Sequence, residues 1–421
     1  MKHAITTLRM LTASQVAAQP VPHYVNLNYA DLFKIQHVHN PFILRPVSYS
    51  ALAGYLECPS CSLEQRRKRR PKEPKRFTSV RQPSLFSGGA PDPRLVGTLL
   101  HTLINLLHDP QGPLSSEQQN ILLARPASLV DFLHNQALAS LQAAGKLRLA
   151  MFFEELSLRE ERLHTLVINP LLHYQRELTA TGSTILATSE RFQFKLLSTR
   201  HTFAEHPDWG GHVALVGEFD QVRLRKTDPT SPTRGRPAII EFKKGLTARK
   251  KKNDPLPGLF AHLTEEQPED ETISDKAQPN EFHAMQLMVY WLAFQTRWDV
   301  LECIKMHKGM LKDIRMSLHQ ELDLIIYNLN DSCQYRLCPP NPQEALLALT
   351  NCIFYLDWAL KSGYAAQSAD HECLKTSPLA TPISHVQVGN TTLSSEECYL
   401  RARASFEQFK STIQWETLPP R

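Results

Sequence analysis

The chain has 421 residues, 42% of them hydrophobic, a net charge of +5 and eight cysteines. No run reaches the roughly 18 apolar residues that a membrane span requires, and the cysteines are too sparse for a disulfide framework. A membrane-embedded or disulfide-stapled class is thereby excluded, a reducing, cytoplasmic setting is expected, and the clustered basic residues suit a polyanionic partner.

Residues 1–20 lack a continuous apolar segment, so no secretory signal is expected, although the absence of acidic residues before Asp31 also suits an organelle-transit segment. Residues 22–46 carry no motif. Between Val47 and Pro59, Ser48 or Ser50 is placed to cap a short helix that Pro59 stops. Arg66, Arg67, Lys68, Arg69 and Arg70 open a basic run that continues to Arg76. Such a run either neutralises phosphate charge without regard to sequence or forms a solvated loop. The proline- and glycine-bearing stretch to Pro93 reads as a flexible connector. Gly97 then opens an apolar helix carrying His101 and His108, where a lone histidine is ordinarily packed core. From Ser115 to about Thr181 the periodicity is helical, with Leu129, Phe132, Leu133, Leu138 and Leu141 on buried faces and Glu160 and Glu161 on solvated ones.

Strands follow. Ile185 to Leu196 alternates and carries Glu190 as a strand-edge charge. Val213 to Val216 is an apolar strand. Gln221 to Lys226 reads as half-solvated, with Val222 and Leu224 inward and Arg223 and Arg225 outward. After a turn-rich stretch, Ala238 to Ile240 resumes a buried strand. Side chains alternate along a strand, so Glu241 and Lys243 project together and Phe242 points away. Asp220, at the end of the preceding strand, can lie beside them. Lys250, Lys251 and Lys252 open a long polar segment that borders this pair and either contacts a polyanionic partner or is disordered. The predicted helix Glu281–Gln295 places Gln286 and Tyr290 one turn apart on one face. Trp298 to Met306 reads as a strand or helix end, Leu324 to Asn328 as a strand, and Gln343 to Lys361 and Ser394 to Phe409 as helices. The tail from Trp415 to Arg421 is expected to fray.

Carboxylates converging from adjacent strands suit a hard divalent cation, which prefers oxygen ligands. A neighbouring lysine can orient a water and screen phosphate charge, which together support metal-assisted phosphodiester hydrolysis. Alone, Glu-x-Lys is ordinarily a solvated strand face. The ordered series Gly217-Glu218-Phe219-Asp220, Glu241-Phe242-Lys243 and Gln286-x-x-x-Tyr290 is far more specific. It resembles the RecB-like branch of the PD-(D/E)XK nuclease superfamily, over about residues 48–295.

The resemblance implies an α/β, restriction-endonuclease-like core with a central mixed β-sheet, flanking helices and helical insertions. It implies an N-terminal segment 1–46, a family element and basic connector 47–96, a nuclease core 97–300 with an insertion at about 115–181, and an α/β extension 301–421. It assigns His101, Asp220, Glu241 and the Phe242 backbone carbonyl to one or two Mg2+ or Mn2+ ions. It makes Asp220, Glu241, Lys243, Gln286 and Tyr290 catalytic, with Lys243 positioning water and stabilising developing charge, and Gln286 and Tyr290 orienting Lys243 or a backbone phosphate.

Some relatives hold an iron–sulfur cluster with one cysteine upstream of the core and three downstream. Cys58 matches the upstream position, while the downstream group is not matched. Cys58 and Cys61 with Cys333 and Cys338 would make a four-thiolate site for zinc or a cluster, or else these are small buried apolar residues. The implied activity is a DNA exonuclease acting on single strands or duplex ends in repair, recombination or end processing. No Gly-x-x-x-x-Gly-Lys-Ser/Thr loop is present, so unwinding would need a helicase or repair-complex partner. The alternative is a non-cleaving binding or scaffolding subunit of a repair or CRISPR-adaptation complex.

Overall fold

In this computed structural model the described residues are 24–25, 33–37, 47–59, 62, 86–87, 90–109, 111–198, 212–226, 235–246, 278–294, 322–361, 364, 385–388 and 391–418. The N-terminal part gives β1 (Tyr24–Val25), β2 (Phe33–His37), β3 (Val47–Ser48) and α1 (Tyr49–Glu57). A small hairpin, β4 (Phe86–Ser87) and β5 (Ala90–Pro91), leads into α2 (Pro93–His108). Five helices follow: α3 (Ser116–Ala124), α4 (Pro126–Asn135), α5 (Ala137–Ala143), α6 (Leu147–Ser157) and α7 (Glu160–Leu163). A π-helical turn (His164–Ile168) joins α7 to α8 (Asn169–Ala180). The long strands β6 (Thr184–Ser198), β7 (His212–Lys226) and β8 (Gly235–Lys243) precede α9 (Glu281–Phe294). The chain continues through β9 (Asp323–Asn328), β10 (Gln334–Leu337), α10 (Pro342–Lys361), β11 (His385–Val388), β12 (Thr391–Ser394), α11 (Ser395–Ser411) and β13 (Trp415–Leu418).

Local chemistry explains the starts of the first two helices. Ser48 Oγ accepts the Ala51 backbone N–H at 3.3 Å and so caps α1. Helix α2 begins before Gly97, inside the expected connector. Asp92 Oδ1 accepts the Arg94 N–H at 2.8 Å and Pro93 occupies the first turn, a position where its missing N–H costs nothing.

Among the described residues the main sheet has nine strands, in the order β1-β2-β6-β7-β8-β9-β10-β13 with β3 beside β7. It is mixed: β8 runs parallel to β9 and β3 parallel to β7, and the other neighbours are antiparallel. The expected fraying tail instead forms β13, whose Trp415 to Leu418 pair with β10. Sequence-distant pairing of this kind leaves little local signal. Strands β9 and β10, beyond residue 300, lie in the same sheet as the Glu241 strand.

Two apolar layers sandwich the sheet, because each strand sends alternate residues to opposite faces. On one face Phe219, Val222 and Ile239 pack with Met285, Val289 and Trp358 of α9 and α10. On the other, Ala238, Ile240 and Phe242 pack with Leu100 and Ile104 of α2, Phe152 of α6 and Tyr174 of α8.

The second half of β7 corrects the half-solvated reading. Arg223 is 1% exposed and Arg225 is also buried, because the helical segment covers this face. Arg223 Nη1 sits 2.5 Å from Glu177 Oε2 of α8. Its Nε donates to Gln221 Oε1. Gln221 Nε2 donates to Tyr174 Oη at 2.9 Å, which leaves the tyrosine proton for His108 Nε2 at 2.6 Å. Burial, then the Arg223 charge, pushes His108 down to about 3, so it is a neutral acceptor. Burial pushes the Glu177 carboxyl up, but Arg223 outweighs it and holds it below its ordinary range. A buried charge is tolerable only with such a partner.

Candidate active site

The site forms where β7 changes neighbours. On the edge facing β8, Leu215 and Val216 pair with β3, and from Gln221 onward β7 pairs with β8. The last β7–β8 pair is Gln221 with Ile240, so Asp220 and Glu241 are the next residues on each strand. The side-chain alternation of β7 also breaks here. Phe219 and Val222 share one apolar layer, while Gln221 reaches Tyr174 in the other. Asp220 is thus not at a strand end but inside a continuous strand, at the point where two strands part. Gly217, two residues before Phe219, lies under the Phe192 ring, and a Cβ there would come within 2.4 Å of Phe192 Cζ.

Asp220 is held from two sides. Its Oδ2 accepts the Phe242 backbone N–H at 2.9 Å, and its Oδ1 lies 3.5 Å from His101 Nδ1 on α2. The His101 ring stands edge-on to Phe242. Burial pushes the Asp220 carboxyl up, but His101, the Phe242 N–H and Glu241 together outweigh it and the net shift is down. The same pairing, working against burial, raises His101.

Glu241, Lys243, Gln286 and Tyr290 form one hydrogen-bonded group. Lys243 Nζ donates to Glu241 Oε1 at 2.6 Å and to Gln286 Oε1 at 3.1 Å. Gln286 Nε2 donates to Glu241 Oε1 at 2.8 Å and to Tyr290 Oη at 2.8 Å. Tyr290 is locked edge-on against Phe192 and Phe219. Glu241 Oε2 is buried and has no hydrogen-bond partner. Burial, then the Asp220 charge, pushes Glu241 up to about 7.

A groove of about 950 Å3 opens from Asp220 and His101 along α2, lined by Thr98, Thr102, Asn105, Ser189, Arg191 and Lys146 among others. Ser189 has a φ of 46°, a left-handed value rare for a side-chain-bearing residue, and its Oγ accepts a hydrogen bond from Asn105.

His101, Asp220, Glu241, Lys243, Gln286 and Tyr290 are therefore brought together. Cys333 and Cys338 are not. Cys333 and Cys338 flank β10 at its two ends, on the order of 15 Å apart along an extended chain. Thiolates sharing a zinc each sit at about 2.3 Å from it, so these two cannot serve one four-thiolate site. Cys58 is buried, and Cys338 Sγ faces Glu416 Oε2 at 3.5 Å. Cys61, Arg66 to Arg70, Lys250 to Lys252 and Trp298 to Met306 lie outside the described residues. Glu190 lies on β6, paired with Phe219.

Three neighbours of the site escaped the sequence reading. Tyr49 Oη donates to the Phe282 carbonyl at 2.5 Å; burial, then Glu241, raises its pKa. Asn105 sits one turn after His101 on α2. His283 stands on α9 in the first turn. The Asn280-x-x-His283 spacing, with Gln286 and Tyr290 following at three and seven residues, was the available signal for His283.

The family model of the PD-(D/E)XK nuclease superfamily matches residues 46–316. The chain belongs to the PD-(D/E)XK nuclease superfamily. No curated protein and no solved structure matches it. Superfamily members are nucleases that typically use a divalent metal and act on nucleic acid. The mixed central sheet with helices on both faces agrees with the superfamily fold. Among the described residues no helix is long and apolar enough to cross a membrane.

Proposed function

We propose that this chain is a divalent-cation-dependent deoxyribonuclease of the RecB-like branch, working as an exonuclease on single strands or duplex ends in repair, recombination or end processing. The observation that carries the reading is the convergence of Asp220 and Glu241 beside Lys243, where two strands part.

The donor set fits a hard cation. A half-buried Asp220 lies close enough to the buried Glu241 to raise it, and Glu241 Oε2 has no hydrogen-bond partner. Among the described residues no three His, Cys, Asp or Glu side chains are already gathered for a metal, and Glu241 Oε1 accepts from Lys243 and Gln286. Asp220, Glu241, His101 and the Phe242 carbonyl would hold one or two Mg2+ or Mn2+ ions. A bound divalent ion supplies charge for the phosphate and lowers the pKa of water. Lys243 orients the attacking water and faces the charge that develops on the phosphate. Gln286 fixes the Lys243 ammonium, and Tyr290, itself wedged between two phenylalanines, fixes Gln286. The polar groove beside Asp220 suits a polynucleotide strand.

We read residues 97–300 as the nuclease core, the helices within 115–181 as its cover on one face, and residues 301–421 as an extension that adds to its sheet.

End-labelled single-stranded and linear duplex DNA, incubated with Mg2+, Mn2+ or EDTA, tests the reading. Cutting with either metal and none in EDTA is the expected result, with a ladder that reports polarity. Binding without cutting under both metals would overturn it in favour of a non-cleaving subunit.

A further inference from the structure

Helix α9 carries a third polar group in register with Gln286 and Tyr290. His283 precedes them by three and seven residues, so all three lie on one helix face. His283 is half-buried at the helix start. Its backbone N–H donates to Asn280 Oδ1 at 3.1 Å, and the Asn280 N–H donates to His283 Nδ1 at 3.1 Å. This reciprocal cap settles the tautomer. A nitrogen that accepts a backbone N–H carries no proton, so in the neutral ring the proton is on Nε2. Among the described residues Nε2 has no hydrogen-bond partner.

We propose that His283 is a substrate-contacting residue of this site, its Nε2–H donating to a non-bridging oxygen of the phosphodiester that Lys243 faces. The inference rests on the nuclease reading above. Gln286, one turn further along the same face, holds Lys243 Nζ at 3.1 Å, so His283 stands one turn from the residue that fixes that ammonium. Burial, then the Lys243 charge, pushes the imidazole down to about 4. The ring is neutral at pH 7. It offers a directed donor without adding a second cation beside Lys243, and a fixed donor aimed at developing phosphate charge stabilises the transition state. The acidic residue of the same turn, Glu281, is drawn away to Lys410 at 3.7 Å.

The cap and the donor reside on different ring nitrogens, so two substitutions separate them. An asparagine amide reaches the Nδ1 position and keeps the cap; a glutamine amide reaches the Nε2 position and keeps the donor. Single-turnover cleavage of end-labelled DNA is measured beside thermal melting for the parent, His283→Asn and His283→Gln. His283→Asn is expected to melt near the parent and to cut about 10- to 100-fold more slowly. His283→Gln is expected to melt lower and to cut within about tenfold of the parent. If His283→Asn cuts at the parent rate, or both variants lose rate only in step with melting temperature, His283 is merely a cap and the inference falls. A parent that cuts nothing overturns the nuclease reading itself, and the inference with it.

Discussion

The Asp220 carboxylate accepts the Phe242 backbone N–H at 2.9 Å, which ties one strand to the backbone between Glu241 and Lys243 of the next. The bond bridges the two strands just beyond their last ladder pair, Gln221 with Ile240. Two carboxylates are thus held together by the backbone while their charges repel.

A cation that relieves this repulsion stabilises the fold. Adding Mg2+ or Mn2+ is expected to raise the melting temperature, by about 2.7 kcal/mol of stability at a hundredfold excess over Kd. EDTA reverses the gain, and Asp220→Asn abolishes it. Differential scanning calorimetry across a metal titration reads this, and an equal gain in the variant would contradict it.

Gln286 touches Lys243, Glu241 and Tyr290 at once. Gln286→Ala frees the lysine to take several rotamers, and misplacement of a positioned group is costly. We expect kcat to fall by about tenfold or more with KM little changed. Tyr290→Phe, which keeps the ring and loses only the hydroxyl, should lower it less. Steady-state kinetics on one labelled substrate compares the two.

Arg223 and Glu177 form a buried pair. Arg223→Ala leaves Glu177 charged in an apolar layer and is expected to cost about 3–5 kcal/mol. Replacing both by apolar residues of similar volume should cost much less. Urea melts of the single and double variants decide.

His108 has a pKa depressed to about 3, against about 6.5 in an unfolded chain. The unfolded state therefore takes up the proton first on acidification. The contribution to stability is complete above about pH 6.5 and declines as pH falls toward 3. His108→Gln keeps an acceptor for Tyr174 and should show a flatter decline than the parent between pH 6.5 and 4.5 in denaturant melts.

Gly217→Ala places a Cβ within 2.4 Å of Phe192 Cζ. Overpacking of this kind costs about 1–3 kcal/mol, and Phe192→Leu in the same chain should recover most of it.

Much of this site was legible because its signals are periodic. A spacing of two on a strand predicts that Glu241 and Lys243 share a face, and they meet at 2.6 Å. A spacing of four on a helix predicts that Gln286 and Tyr290 meet, and they do at 2.8 Å. What stayed hidden depends on distant partners. Alternation showed that Arg223 and Val222 differ in face, but only α8, some forty residues upstream, makes the arginine face a buried one. The break in alternation between Phe219 and Val222, which turns Asp220 and Gln221 away from the Phe219 layer, is a sheet irregularity with no composition of its own. Trp415 to Leu418 look like a terminus until β10 is beside them. The cap Asp92-Pro93 was present in the sequence and was obscured by the prolines and glycines before it.

The most direct test of the account compares the parent with Lys243→Ala and Asp220→Ala on the same end-labelled DNA, with Mg2+ or Mn2+, after circular dichroism shows all three folded. The parent is expected to cut and both variants to be slowed by about 100-fold or more. Cutting that survives both substitutions at the parent rate would contradict it, because the chemistry would then lie somewhere other than the point where β7 and β8 part.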